Sequence, residues 1–221
     1  LISALVFDMD GLLLDSERIV KRSWEEAGEV MGIARMGEHI YHTLGINRAG
    51  RDAYFRKALG EDFNIEEFSS LASRCFYQIL DKEEMPLKPG AEELLIYARS
   101  FGYKTAVATS SSRDYSIRML KSVGIYKYFD GGIFGDMVQH TKPDPEIYRK
   151  ACEEIGMEPE CCLALEDSSA GIRSAHAAGL KVIAVPDLLE PPKEVLSLAY
   201  RRCDSLHEVI PLLREGIPRN I

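Results

Sequence analysis

The chain has 221 residues, 46% of them hydrophobic and 28% charged, with a net charge of −8 from 27 basic and 35 acidic residues. That length and composition suit one large domain, or a domain with a smaller insert, and leave room for a sizeable core. The basic residues form no stripe and no apolar run could cross a bilayer, so neither nucleic acid nor membrane is an expected partner.

Taken in order, Ile2 to Phe7 is an apolar run suited to a buried strand, and it stops at Asp8 and Asp10. Carboxylates on alternate residues of extended chain point the same way, so these two are expected to share one small volume. Such neighbours are costly unless a cation lies between them or one takes a proton. Gly11 permits the tight backbone by which the chain leaves the sheet. The plainer reading is a strand followed by an Asp-Gly turn with solvated acids.

Ser16 to Met31 reads as a helix with Ser16 as N-cap and Trp24 on its core face. From Gly32 to Met85 the patterns are helical, with Asn47 capping a helix over Arg48–Leu59. Asn64 and Glu67 resemble a capping box for a helix reaching Lys82. So long a block between two strands exceeds one crossover helix. It reads as an inserted all-helical domain over 16–85, the main domain being 1–15 and 86–221.

Lys88-Pro89-Gly90 marks the return to that main domain. A helix is expected over Ala91–Phe101, a strand over Tyr103–Ala108, a helix over Arg113–Val123 and a short strand over Gly132–Gly135. After Thr141-Lys142-Pro143-Asp144-Pro145, with Asp144 as N-cap, come a helix over Glu146–Ile155 and a strand over Cys161–Leu165. Glu166-Asp167-Ser168-Ser169 leads into a helix over Ala170–Ala178, then a strand over Lys181–Val185. The tail holds a helix from Pro191-Pro192 to Ala199, a short edge strand near Arg202-Cys203 and a helix over Leu206–Arg214. Strand and helix alternate, which is the signature of an α/β fold with a doubly wound parallel sheet, Rossmann-like in its winding.

The cysteines (Cys75, Cys152, Cys161, Cys162 and Cys203) are odd in number and lack metal-ligand spacing. Reduced thiols and a cytoplasmic location are the expectation. The first residues carry no basic leader, so no signal peptide is expected.

Ligands of such sheets sit outside the carboxyl ends of the strands. The residues that follow the strands here are Asp8 and Asp10, Thr109 and Ser110, Lys142, then Glu166 and Asp167. Hard carboxylate oxygens in that number suit Mg²⁺ together with a phosphate group. The hydroxyls and amides at the Thr109–Ser112 helix start suit phosphate oxygens, and Lys142 adds a compact positive charge. Taken singly, each has a plainer reading: a helix cap, a solvated loop lysine, acids favoured by a helix dipole. Their occurrence together at successive strand ends describes phosphoryl transfer.

Four segments carry a resemblance: Phe7 to Glu17, Ala108-Thr109-Ser110, Thr141 to Pro145, and Leu165 to Gly171. In that order they are similar to the haloacid dehalogenase superfamily, in the β-phosphoglucomutase-like and sugar-phosphate phosphatase branch with an inserted helical cap. The resemblance implies that Asp8 attacks phosphorus to give an aspartyl-phosphate, while Asp10 serves as acid and then base. It implies Mg²⁺ held by Asp8, the Asp10 carbonyl and Asp167, with Glu166 in support. Thr109, the Ser110 amide and Lys142 would hold the phosphoryl oxygens. The cap would contact the leaving group through Glu17 and Arg48, with Arg18, Arg74, Tyr41 and His42 as further candidates, and Gly45-Ile46-Asn47-Arg48 resembles a substrate-contacting cap loop.

The mutases of this branch carry a cap histidine that Glu17-Arg18-Ile19-Val20 lacks, and a cap lysine where Arg74-Cys75 falls. The expected activity is therefore Mg²⁺-dependent hydrolysis of a small sugar or polyol phosphate ester by a monomer, with a phosphosugar mutase as the alternative. A non-catalytic phosphosugar binder and a phospho-receiver are further alternatives. A receiver would have no helical insert and no use for Asp10.

Overall fold

A computed structural model describes residues 1–44 and 48–218. Six strands form one sheet: β1 (Ala4–Phe7), β2 (Lys104–Ala108), β3 (Gly131–Ile133), β4 (Cys162–Glu166), β5 (Lys181–Ala184) and β6 (Arg201–Arg202). All pairs are parallel, in the order β3-β2-β1-β4-β5-β6. The helices are α1 (Ser16–Met31), α2 (Arg48–Leu59), α3 (Ile65–Leu80), α4 (Ala91–Ser100), α5 (Arg113–Ser122), α6 (Glu146–Glu154), α7 (Ser169–Ala177), α8 (Lys193–Leu196) and α9 (Val209–Glu215).

The chain groups into two compact units, Leu1–Leu14 with Pro86–Ile221, and Asp15–Met85. In the first unit every residue of β1 is buried, as a central parallel strand covered on both faces requires. Small strand residues on one face (Ala4, Val6, Ala106, Ala108) meet Ile147, Tyr148 and Ala151 of α6 and Ile172 and Ala175 of α7. On the neighbouring side chain of β1, Phe7 packs edge-on to Phe129 with centroids 6.0 Å apart. The sheet ends at β6 in two exposed arginines, which discourage further pairing.

Register decides where the site lies. Phe7 pairs with Val107 on one side and Leu165 on the other. The segments leaving β1, β2 and β4 therefore emerge side by side. The winding reverses between β1 and β4, the position at which such sheets open a crevice.

The second unit is helical. α1 packs on α3 and on a 3₁₀ turn over Met36–His42, a segment read from sequence only as helical pattern. Trp24 meets Phe55 and Phe68 edge-on, with centroids at 5.4 and 5.6 Å, and is a core residue. Asn64 Oδ1 accepts the Glu67 N–H at 3.1 Å, and its Nδ2 donates to Glu67 Oε2 at 3.1 Å. Asn47, expected to cap α2, lies outside the described residues with Gly45 and Ile46.

Element ends differ from the sequence reading in a few places. α3 stops at Leu80 rather than Lys82, because Asp81 already closes the last turn through its N–H. β3 is Gly131–Ile133, since Phe134 leads straight into a 3₁₀ turn at Gly135. α8 ends at Leu196 instead of Ala199, followed by turns before β6. α6 opens at Glu146, whose N–H is accepted by Asp144 Oδ1 at 2.9 Å.

Candidate active site

Past β1 the chain folds back on itself: Leu13 and Leu14 donate to the Met9 carbonyl, and Gly11 donates to that of Leu14. Gly11 sits at φ +84°, a backbone region that favours glycine, so the turn depends on it. Asp8 stays at the strand end, where its N–H donates to the Leu165 carbonyl at 3.0 Å.

Lys142 reaches this point from the loop before α6. Its Nζ donates to Asp8 Oδ1 at 2.5 Å, to Glu166 Oε1 at 2.6 Å and to the Ala108 carbonyl at 2.9 Å. One ammonium thus ties together the ends of β1, β2 and β4. Burial disfavours the charge on Lys142, but Asp8 and Glu166 outweigh it and hold the lysine pKa above the usual value. Beneath it lies the ring of Tyr148, its centroid 5.1 Å from Nζ.

Glu166 is fully buried, and its hydrogen bonds go to protein groups. Oε1 accepts from Lys142 and from the Tyr148 hydroxyl; Oε2 accepts from the Ser168 N–H at 3.4 Å and hydroxyl at 3.2 Å. The Ser168 hydroxyl also caps α7 by accepting the Gly171 N–H at 3.1 Å. A Cβ on Gly171 would fall 1.9 Å from the Glu166 carboxyl, so glycine is what admits this carboxylate to the helix start. Burial first, then the charge of Glu166, raises the Tyr148 pKa well above its usual value, so the phenol is a donor.

Asp8, Glu166 and Asp167 are all buried and each offers an oxygen within 4.8 Å of the others. Lys142 pairs with Asp8 and Glu166, and Asp167 adds a third buried carboxylate. Burial pushes the Asp8 pKa up to about 8, with Lys142 opposing and Glu166 and Asp10 adding to the rise. Three buried carboxylates that offer hard oxygens this close together fit a small divalent cation.

Asp10 leaves the strand end with different partners. Its Oδ2 accepts from Ser111 Oγ at 2.7 Å and its Oδ1 from the Tyr115 hydroxyl at 3.3 Å. Thr109 is buried directly after β2, and its Oγ1 accepts the Ser111 N–H at 3.1 Å, while Ser110 is exposed. Of the residues singled out in the sequence, Asp8, Lys142, Glu166 and Asp167 form one cluster, with Thr109 and Ser110 continuing from Ala108. Glu17 and Arg48 belong to the helical unit. Glu17 is half-buried in the first turn of α1, and Arg48 is exposed with its Nε 3.8 Å from Asp52. Arg18 pairs with Asp15, Tyr41 accepts from Lys21 at 3.0 Å, and His42 stacks on Tyr54.

The sequence assigned the Ser111 hydroxyl, within Thr109–Ser112, to phosphate oxygens, whereas the structure places it on Asp10; Gly171 entered only as the end of a matching segment, and Tyr115, Tyr148 and Gly135 were not singled out. A signal existed for Tyr148 alone: a tyrosine on the inward face of an amphipathic helix needs a buried acceptor.

The model of the haloacid dehalogenase-like hydrolase family matches residues 2–179. Protein CbbY of Rhodobacter capsulatus is 32% identical over 194 residues, covering 84% of this chain and 86% of that protein. The phosphorylated carbohydrates phosphatase of Thermotoga maritima is 29% identical over 217 residues, covering 96% and 98%. The solved structure of CbbY from Rhodobacter sphaeroides in complex with phosphate is similar with a TM-score of 0.78 and 30% identity, covering 95% of this chain and 96% of that one. A match that extends from the Asp8 strand past the end of α7, on a sheet wound in this order, makes the chain a member of the haloacid dehalogenase-like hydrolase family.

Proposed function

We propose that the protein hydrolyses a small phosphate monoester, of the sugar or polyol class, through a phosphoryl group carried on Asp8. The observation that carries this reading is the Asp8 carboxylate at the crevice of the sheet, 2.5 Å from Lys142 and within 4.8 Å of the Glu166 and Asp167 oxygens. The phosphate-bound relative and the relative named a phosphorylated carbohydrates phosphatase support the substrate class.

Asp8 Oδ attacks phosphorus in line, the bond from phosphorus to the ester oxygen breaks, and Asp10 gives its proton to the departing alkoxide. Asp10, now ionised, takes a proton from water, whose oxygen attacks phosphorus as the bond to Asp8 breaks. Phosphate leaves, and both aspartates return to their starting states. Lys142, Thr109 and the Ser110 amide hold the phosphoryl oxygens. Asp8, Asp167 and the Asp10 carbonyl would hold Mg²⁺, with Glu166 in support through Lys142. Bound Mg²⁺ supplies positive charge that offsets repulsion between a phosphate dianion and Asp8 and stabilises charge in the transition state. Glu17 and Arg48 of the helical unit are the candidates for contacts to the leaving group.

The test is phosphate release from a panel of sugar, polyol and nucleotide monophosphates, with Mg²⁺ and with a chelator. Metal-dependent release, abolished in a folded Asp8→Asn variant, is the expected result. Wild-type turnover in that variant would remove Asp8 from the chemistry. Glucose 6-phosphate formed from β-glucose 1-phosphate and its 1,6-bisphosphate, in place of free phosphate, would make the protein a mutase.

A further inference from the structure

The turn after β2 carries a feature that the chemistry of Asp8 does not use. Both oxygens of the Asp10 carboxyl are met by hydroxyls, Ser111 Oγ at 2.7 Å and Tyr115 OH at 3.3 Å. These come from two successive pieces of chain, the loop behind β2 and the first turn of α5.

Each hydroxyl stands on anchored backbone. The Ser111 N–H donates to Thr109 Oγ1 at 3.1 Å, and its carbonyl accepts the Gly135 N–H at 2.8 Å. That approach requires glycine, because a Cβ on Gly135 would lie 2.0 Å from the Ser110 carbonyl oxygen. The start of α5 is fixed by Asp136, whose carboxylate accepts the Arg113 N–H at 3.0 and 3.2 Å. Gly135 and Asp136 are adjacent, so one short segment supports both donors.

We propose that Ser111 and Tyr115 are positioning residues for proton transfer. They hold the Asp10 carboxyl in the one orientation from which it reaches the departing ester oxygen and then the attacking water. The proposal rests on the reading of Asp10 as acid and base. Proton transfer needs a heavy-atom separation of about 2.6–3.2 Å. A half-buried aspartate with two soft torsions would otherwise divide its time among rotamers. Hydroxyls suit the task because each can donate or accept, so the same two side chains can hold the carboxyl with and without its proton.

The experiment compares kcat/KM for two substrates in Ser111→Ala, Tyr115→Phe and the double variant, with Asp10→Asn as reference. p-Nitrophenyl phosphate has a leaving group that departs without a proton, whereas an alkyl phosphate from the substrate panel needs one. In the double variant the ratio of alkyl to aryl kcat/KM is expected to fall about tenfold or more, in the direction set by Asp10→Asn, and Ser111→Thr is expected to retain most of the wild-type ratio. Equal losses on the two substrates would overturn the proposal, because a distorted fold or a lost phosphate contact lowers both. If the ratio moves in Asp10→Asn but not in the double variant, the positioning role fails while the acid–base reading stands. An unmoved ratio in Asp10→Asn removes that reading, and the proposal with it. Should the double variant not fold, the two single variants are judged by the same ratio.

Discussion

The phenolic hydroxyl of Tyr148 donates to Oε1 of Glu166 at 2.5 Å, with both side chains fully buried. The same oxygen receives Lys142, so the phenol and the ammonium share one acceptor beneath the candidate nucleophile. Tyr148→Phe keeps the ring under Lys142 and removes only the hydroxyl. The expected loss of stability is about 1.5–3 kcal/mol, the range for a buried hydrogen bond to a charged group. Urea unfolding would measure it. A change within error of zero would mean that the phenol does not help hold Glu166.

Cation binding is expected to depend on pH through Asp8. Its pKa in the metal-free protein is pushed up to about 8, chiefly by burial, against about 3.9 for an unfolded aspartate. The folded chain then keeps a proton that the unfolded chain has released. The stability from that proton is complete below the unfolded pKa and is lost as pH rises through the folded one. A divalent ion beside Asp8 competes with the same proton. The melting temperature in chelator should fall between about pH 5 and pH 8, and the gain on adding Mg²⁺ should grow over that span. A gain of equal size at both ends would exclude Asp8 as a ligand.

Gly171→Ala places a methyl group where the Glu166 carboxyl already lies, 1.9 Å from its carbon. Neither group can swing into solvent, because Glu166 is fully buried. Overpacking of this kind costs about 1–3 kcal/mol, and relief requires Glu166 to leave Lys142. The variant should therefore lose both stability and turnover. Turnover unchanged in a destabilised protein would show that the Glu166–Lys142 contact is dispensable to the chemistry.

In the helical unit, Asn64→Ala removes the acceptor for the Glu67 N–H at the start of α3. A lost N-cap costs about 0.5–2 kcal/mol. Thermal unfolding should register it, while Asn64→Asp should recover most of the loss.

What the sequence disclosed follows from where information sits along a chain. Asp8, Lys142 and Asp167 each close a recognisable strand or open a Pro- or Ser-marked helix, so their convergence could be argued once the sheet was taken as parallel. Ser111 and Tyr115 could not be found that way, because their contact with Asp10 spans about a hundred residues and depends on β2 lying next to β1. Gly135 and Gly171 look like ordinary turn and helix glycines. Their importance comes from neighbours that the fold brings into the space a Cβ would occupy. β6, with two residues, has too little pattern to announce itself beyond a hint at Arg202.

Asp8 and Asp10 are separated by a single residue, yet Asp8 is bonded to 142 and 165 while the Asp10 carboxyl is bonded to 111 and 115, different stretches of chain. Such a layout is modular. Variation at 111 and 115 would act on how a leaving group is discharged, whereas variation at 142 would act on the charge beside the nucleophile, so a designer could address the two from separate stretches of chain.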